Sequence, residues 1–321
     1  MTHRIVAIVG SGYMGGGIAQ VLALAGDTVR ISDVSEDVAK ANYERLLAEA
    51  EEFAAAGLFP ADAPQRLASH LQPAVSIEAA VADADFIEEA VPEKAEIKQE
   101  TLRRISAAAP PDTVIGSNTS TIAIGTLASA VERPERFLGV HFSNPAPFIP
   151  GVELIPHQGT SEAAITFAQD VVARAGKESA RVKDSTGFVL NRLQYALFHE
   201  ATQIVEEGIA TAAEVDTLVR TTFGFRLPFF GPFAIADMAG LDVYAFCYKS
   251  LQTRWPERFA TPESLQRLVD AGNLGTKTGS GYLDLPAERT AELIAYRNRA
   301  YVAMAKLLEE LGPAPTQDQP R

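Results

Sequence analysis

Along this chain, short apolar runs alternate with longer stretches in which apolar residues recur every three or four positions. Residues 4–9 (RIVAIV) form the first run. β-Branched residues dominate it and glycines follow at once, the pattern of a strand buried on both faces. Residues 14–25 then read as a helix, and TVRISD as a second strand. A helical segment over 36–56 ends at Gly57, and the prolines of GLFPADAPQ break it, so 36–56 and 62–70 are expected to form a helical hairpin at about 36–70. Further strands are expected in ADFIEEAV, TVIGSN, FLGVHFSN and VELIP, with helical spacers between them. Strand alternating with helix predicts an α/β architecture built on a doubly wound parallel sheet.

After Gly187 the pattern changes. From 188 to 311 β-branched runs are few and helical periods dominate, in FVLNRLQYALFHEATQIVEEG, AAEVDTLVRTTFG and AELIAYRNRAYVAMAKLLEELG. Residues 1–184 are therefore expected to form the α/β domain and 185–311 an all-helical one. The last helix places Leu293, Tyr296, Ala300, Met304, Leu307 and Leu311 on one apolar face, which suits packing within the chain or a contact between subunits. The Pro-rich, polar residues 312–321 are expected to be a disordered tail.

Composition narrows the class. The 321 residues are 47% hydrophobic with mean hydropathy near zero, an ordinary globular balance. A formal charge of −13, from 28 basic and 41 acidic residues, argues against a nucleic-acid surface that works by neutralising phosphate. Cys247 is the only cysteine, so no intrachain disulfide is expected and a reducing compartment is favoured. Residues 1–4 lead straight into a strand without a signal peptide, and no apolar stretch is long enough to span a bilayer. A cytoplasmic protein with no membrane and no metal is the expectation.

Gly10, Gly12 and Gly15 give G-x-G-x-x-G between a strand and a helix. Gly10 permits the tight turn, Gly12 lets the backbone approach a pyrophosphate, and Gly15 lets the helix pack closely on the strand. Asp33 ends the next strand about twenty residues on, where a carboxylate accepts hydrogen bonds from an adenosine ribose. Val34 and Ser35 follow it, so no arginine waits there for a 2′-phosphate. The combination predicts a Rossmann domain that binds NAD rather than NADP, with Tyr13 and Met14 of the same turn beside the cofactor.

A dinucleotide site needs a partner that removes a proton as hydride leaves carbon, and histidine suits this near neutral pH. Of the five histidines, His3 and His70 look peripheral. His141 ends the strand FLGVH, on the side where the ligand crevice of a doubly wound sheet lies. His157 also sits near a strand end and is its rival. Glu153, flanked by apolar residues in GVELI, would be costly to bury without a partner. It is either the group that orients His141 or an exposed residue of an edge strand.

The glycine loop, SNTS (117–120), HFSNP (141–145), VELI (152–155), GFVLNR (187–192) and GPFAIADMAGLD (231–242) resemble the 3-hydroxyacyl-CoA dehydrogenase superfamily over roughly residues 4–283. The resemblance implies that His141 is the general base and Glu153 its partner. It also implies that Ser120 and Asn191 hold the substrate oxygen, that Asn144 lies near the nicotinamide, and that Glu93, Lys98 and Lys277 reach the cofactor. A homodimer formed through the helical domain is implied as well. The reaction would oxidise a secondary alcohol β to a carboxyl or thioester.

Three departures bear on the substrate. Where the acyl-CoA branch has two aromatics after the histidine, this chain has Phe142 and Ser143. Pro150 stands where that branch has a lysine, and FGFRLPFFGP supplies Arg226. These features look more like the L-gulonate and carnitine dehydrogenases and a pyridine-carboxylate relative. Arg226 is placed to pair with a free carboxylate, or is an ordinary solvated arginine. The hairpin's only bases, Lys40, Arg45 and Arg66, offer little to CoA phosphates. The expected substrate is thus a small free hydroxy acid, with an acyl-CoA as the alternative and an NAD-binding structural protein without turnover as a remote third.

Overall fold

The computed structural model describes residues 4–314. It divides into two compact units at Leu197/Phe198. His3 and the tail from residue 315 onward lie outside the described residues.

In the first unit the chain runs β1 (Ile5–Val9), α1 (Tyr13–Leu24), β2 (Thr28–Ser32), α2 (Glu36–Ala55), α3 (Ala63–His70), β3 (Leu71–Pro73), α4 (Ile77–Val81) and β4 (Phe86–Glu89). It continues α5 (Ala95–Ala108), β5 (Val114–Ser117), α6 (Ile124–Ala128), β6 (Phe137–Phe142), β7 (Gly151–Pro156), α7 (Glu162–Arg174) and β8 (Glu178–Arg181). The eight strands form one sheet in the order β3-β2-β1-β4-β5-β6-β7-β8. Apolar side chains alternate between its faces. Val6, Ile8 and Ile31 pack with α1 and α2 on one side. Ala7, Val9, Ile87 and Ile115 pack with α4 and α5 on the other. Helices on both faces of a mostly parallel sheet are the Rossmann arrangement expected from the sequence.

One pair departs from the parallel rule: β7 runs antiparallel to β6. Residues 143–150 join them, fewer than the dozen or so that a parallel crossover needs. Two strands had not been anticipated. β3 is three residues long and ends in proline, and β8 (ESAR) is exposed at every position, so neither carries an apolar signature. The hairpin forms as expected. Ser35 caps α2 by accepting from the Val38 N–H, Gly57 takes the left-handed turn, and α3 packs back on α2.

α8 (Leu190–Glu206) carries the chain into the second unit, which continues α9 (Ala212–Thr221), α10 (Pro232–Ala239), α11 (Leu241–Gln252), α12 (Glu263–Asp270) and α13 (Ala287–Leu311). Thr211 and Glu214 close a reciprocal capping box at the start of α9. The buried carboxylate of Asp237 accepts from the Tyr282 and Leu283 N–H groups, so the first of the two acids in the GPFAIADMAGLD stretch anchors a loop. On α13 the expected apolar face is only half covered. Ala300 is buried, whereas Tyr296, Leu307 and Leu311 are exposed.

Candidate active site

The turn from β1 into α1 is built as the glycine pattern requires. Gly10 has φ +96°, and a Cβ there would run into the Ala90 backbone. A Cβ at Gly15 would overlap the Gly10 carbonyl oxygen, so the helix can start this close to the strand only with glycine. At Gly12 a Cβ would meet nothing within 4 Å, and no side chain caps α1. The free helix start therefore faces a cleft of about 580 Å³ bordered by Gly12, Tyr13, Met14, Asp33, Glu93 and Ser120. Asp33 accepts from the Ser11 N–H and hydroxyl on one oxygen and from the Val34 N–H on the other. A carboxylate has further lone pairs for ribose hydroxyls. These residues fit NAD: α1 would hold its pyrophosphate, Asp33 its adenosine ribose.

At the far side of the sheet from Asp33, β6 and β7 bring the proton-handling pair together. His141 and Glu153 are direct partners across the antiparallel ladder. The imidazole Nδ1 lies 2.8 Å from Glu153 Oε2, and Nε2 lies 3.1 Å from the Ser120 hydroxyl. The other Glu153 oxygen accepts from the Val189 and Leu190 N–H groups at 2.8 and 3.0 Å. Burial pushes the Glu153 carboxyl up, but the hydrogen bond to His141 and the two backbone donors outweigh it and hold the group below its ordinary range. An ionised Glu153 only accepts, so Nδ1 carries a hydrogen toward it and Nε2 is the ring nitrogen turned to the Ser120 hydroxyl. The edge-strand reading of Glu153 does not hold, since both its oxygens are engaged. The rival His157 uses Nε2 on the Pro134 carbonyl and Nδ1 on the Gly159 N–H, which spends the ring on a loop.

The loop after β5 connects this pair to the cleft. Glu93 Oε1 accepts from the Thr119 hydroxyl and from the Ser120 and Thr121 N–H groups. Burial raises the Glu93 carboxyl, but these donors and the charge of Lys98 together lower it. Asn191 donates its amide to the Ser120 carbonyl at 2.9 Å, so it positions the Ser120 backbone as well as lying beside it. Asn118 accepts from the Phe142 N–H and thereby ties β5 to the end of β6.

Lys98, which the resemblance puts at the cofactor, contacts acids of its own chain. It is wholly buried and pairs with Glu89 at 2.9 Å, while Glu93 lies 3.7 Å away. Glu89 also accepts from the Ser117 hydroxyl and the Val91 N–H. Burial raises its carboxyl, against the pull of Lys98. Glu89, Asn118 and Thr119 were not singled out by sequence; for Glu89 the signal was the pair of acids that ends the strand FIEE. Asn144 is exposed on the loop after β6. In the second unit, Lys277 pairs with Asp242 at 2.7 Å, and Arg226 is exposed in the turn after α9.

A Rossmann cleft whose residues fit NAD, bordered by a serine hydrogen-bonded to a carboxylate-held histidine, suits an NAD-dependent oxidoreductase acting on a CH–OH group. Comparison with known proteins narrows the class. Residues 5–185 match the family model of the 3-hydroxyacyl-CoA dehydrogenase NAD-binding domain, and residues 187–285 match that of its C-terminal domain. The chain belongs to the 3-hydroxyacyl-CoA dehydrogenase family. It is 33% identical to the 3-hydroxybutyryl-CoA dehydrogenase of Bradyrhizobium diazoefficiens, over 87% of this chain and 94% of that one. It is 35% identical to the 5-formyl-3-hydroxy-2-methylpyridine 4-carboxylate 5-dehydrogenase of Mesorhizobium japonicum, over 95% and 98% respectively. The chain spans 60% of the length of the Escherichia coli 3-hydroxyadipyl-CoA dehydrogenase, to which it is 33% identical. The crystal structure of the 3-hydroxyacyl-CoA dehydrogenase of Archaeoglobus fulgidus superposes with a TM-score of 0.78 at 30% identity, covering 97% of this chain and 99% of that one.

Proposed function

We propose that the protein interconverts a 3-hydroxyacyl-CoA and its 3-oxoacyl-CoA. The observation that supports the chemistry is the placing of His141 between two partners, Nδ1 2.8 Å from Glu153 and Nε2 3.1 Å from the hydroxyl of Ser120, which borders the cleft. In the oxidative direction Nε2 takes the proton of the substrate hydroxyl, and Glu153 stabilises the imidazolium that results. The Ser120 hydroxyl exchanges its bond to His141 for one to the substrate oxygen, with Asn191 holding the Ser120 backbone still. When bound, NAD supplies the hydride acceptor. In the reverse direction His141 returns the proton to the oxygen of the ketone. Asn144 is assigned to the nicotinamide side of the cleft, and Lys277 and Arg226 to the ligand contacts of the second unit.

The names of the relatives weigh for a thioester over the free hydroxy acid favoured by the sequence alone, since most of those compared are acyl-CoA dehydrogenases. The free-acid reading retains one support, the pyridine-carboxylate dehydrogenase matched along nearly its whole length. The lone cysteine suits a reducing cytoplasm. The exposed apolar residues of α8, α11 and α13 support a homodimer.

The test is NADH formation with 3-hydroxybutyryl-CoA against 3-hydroxybutyrate, L-gulonate and carnitine. Binding energy from the remote CoA should raise kcat/KM for the thioester by about 100-fold or more over any free acid. A free acid turned over faster would overturn the thioester assignment and return Arg226 to the centre of the substrate question. NADH binding without turnover of any of the four would make this a structural member of the family.

A further inference from the structure

Residues 143–150 (SNPAPFIP), which join the His141 strand to the Glu153 strand, carry three prolines and so are short of N–H donors. The Phe148 and Ile149 N–H groups both turn back to the Pro145 carbonyl. The carbonyls of Ala146, Pro147 and Ile149 instead receive one donor group from another element. Lys177, between α7 and β8, places its Nζ 2.7, 3.1 and 2.9 Å from these three oxygens. The lysine is buried, and desolvation lowers its pKa; no carboxylate shares the site in the bonds just described. The three ammonium hydrogens thus meet three carbonyls, and the cation gathers the loop around itself.

From the opposite side the loop abuts α1. A Cβ added at Gly17 would lie 2.9 Å from Pro147 Cδ and 3.4 Å from Ala146 Cβ. The segment is therefore clamped between the helix that faces the cofactor's phosphates and a single buried ammonium. Asn144 stands two residues before the first clamped carbonyl.

We propose that Lys177 is a positioning residue for hydride transfer: through the carbonyls of Ala146, Pro147 and Ile149 it fixes the loop that presents Asn144 to the nicotinamide half of the cofactor. This rests on the assignment of Asn144 to that side of the cleft. Lys177 touches neither ligand nor cofactor. Its loss should slacken the nicotinamide end of the site and leave the adenosine end, built by Gly10, Gly12 and Asp33, as it was.

Two ligands separate the ends. ADP-ribose occupies the adenosine end alone, whereas NADH fills both. Titrating each into the purified full chain, Lys177→Met should weaken NADH by about tenfold with ADP-ribose within about twofold, and Lys177→Arg, which keeps the charge, should recover part of the loss. Parallel loss of both ligands would make Lys177 a general structural support and overturn the proposal, as would unchanged NADH affinity. If Lys177→Met does not fold, Gly17→Ala carries the test from the other side of the clamp: it should displace Pro147 and weaken NADH selectively, and an equal effect on both ligands would refute the idea. Asn144→Ala tests the underlying assignment on its own. Should it leave NADH binding intact while Lys177→Met weakens it, the Asn144 assignment fails and the clamp acts through another loop residue.

Discussion

At His141 the two ring nitrogens are distinguished by what each one meets, a carboxylate with a lowered pKa on Nδ1 and a hydroxyl at the cleft on Nε2. His141→Gln removes the proton acceptor and should lower kcat by about 10²–10⁴-fold, with NADH affinity changed little because α1 and Asp33, which would hold the pyrophosphate and adenosine ribose, are not touched. Glu153→Gln keeps the shape but offers an amide that can donate as well as accept. It also surrenders the charge that stabilises the imidazolium, so kcat should fall while KM changes little. Stopped-flow hydride transfer and NADH titration check both variants, and retained turnover in His141→Gln would place the base elsewhere. His141 was legible from its place at a strand end and Glu153 as an acid flanked by apolar residues, and the hydrogen bonds that spend the ring of His157 separate the two histidines. The buried partners of Lys98 and Lys177 were not legible. They lie many residues away, Glu89 and Asn118 for one and the 146–149 carbonyls for the other, and only the folded chain brings these together.

Strand β4 shows what a single element can tolerate. Its last two residues, Glu88 and Glu89, point to opposite faces of the sheet, and both are fully buried. Glu89 finds Lys98, Ser117 and the Val91 N–H. Among the described residues neither carboxyl oxygen of Glu88 has a hydrogen-bond partner, and a Cβ at its neighbour Gly116 would collide with it, so glycine on β5 makes the room it occupies. Burial, reinforced by the charge of Glu89, raises the Glu88 pKa well above 4.5. The unfolded chain therefore releases this proton first as pH rises. Below the unfolded pKa there is no ionisation penalty; between the two pKa values stability falls by about 1.4 kcal/mol per pH unit, and above the folded pKa the full ionisation penalty is present. Glu88→Gln removes that slope, so its advantage in Tm over wild type should grow from about pH 5 to about pH 8. An offset that stays constant with pH would show that Glu88 does not hold its proton in the fold. The β1–α1–β2 unit was legible in full from its apolar run, glycines and terminal acid. β3 and β8 were not, because an edge strand needs only a neighbour's free backbone groups and neither carries an apolar pattern.

For the whole molecule the open quantity is what covers the helical unit. Phe198, Phe246 and Leu311 expose 63%, 72% and 70% of their surface on three different helices, and single exposed apolar residues are common where several large ones together are not. Sequence periodicity found the stripe on α13 but not its partner, since a stripe reads the same whether it faces its own chain or a second copy. A homodimer predicts sedimentation at twice the chain mass of 34.4 kDa, and Phe246→Glu or Leu311→Glu should shift the equilibrium toward the single chain if those helices form the contact. The charge of the chain adds a second, independent expectation. Each copy carries −13, so two copies repel at long range and the attraction between them has to come from apolar burial. Added salt screens the repulsion and leaves the apolar term intact, so the dimer should tighten between low and physiological ionic strength. Sedimentation equilibrium across a salt series checks the sign. A dimer that dissociates as salt rises would be held by ion pairs, and the exposed phenylalanines and leucines would then need another partner.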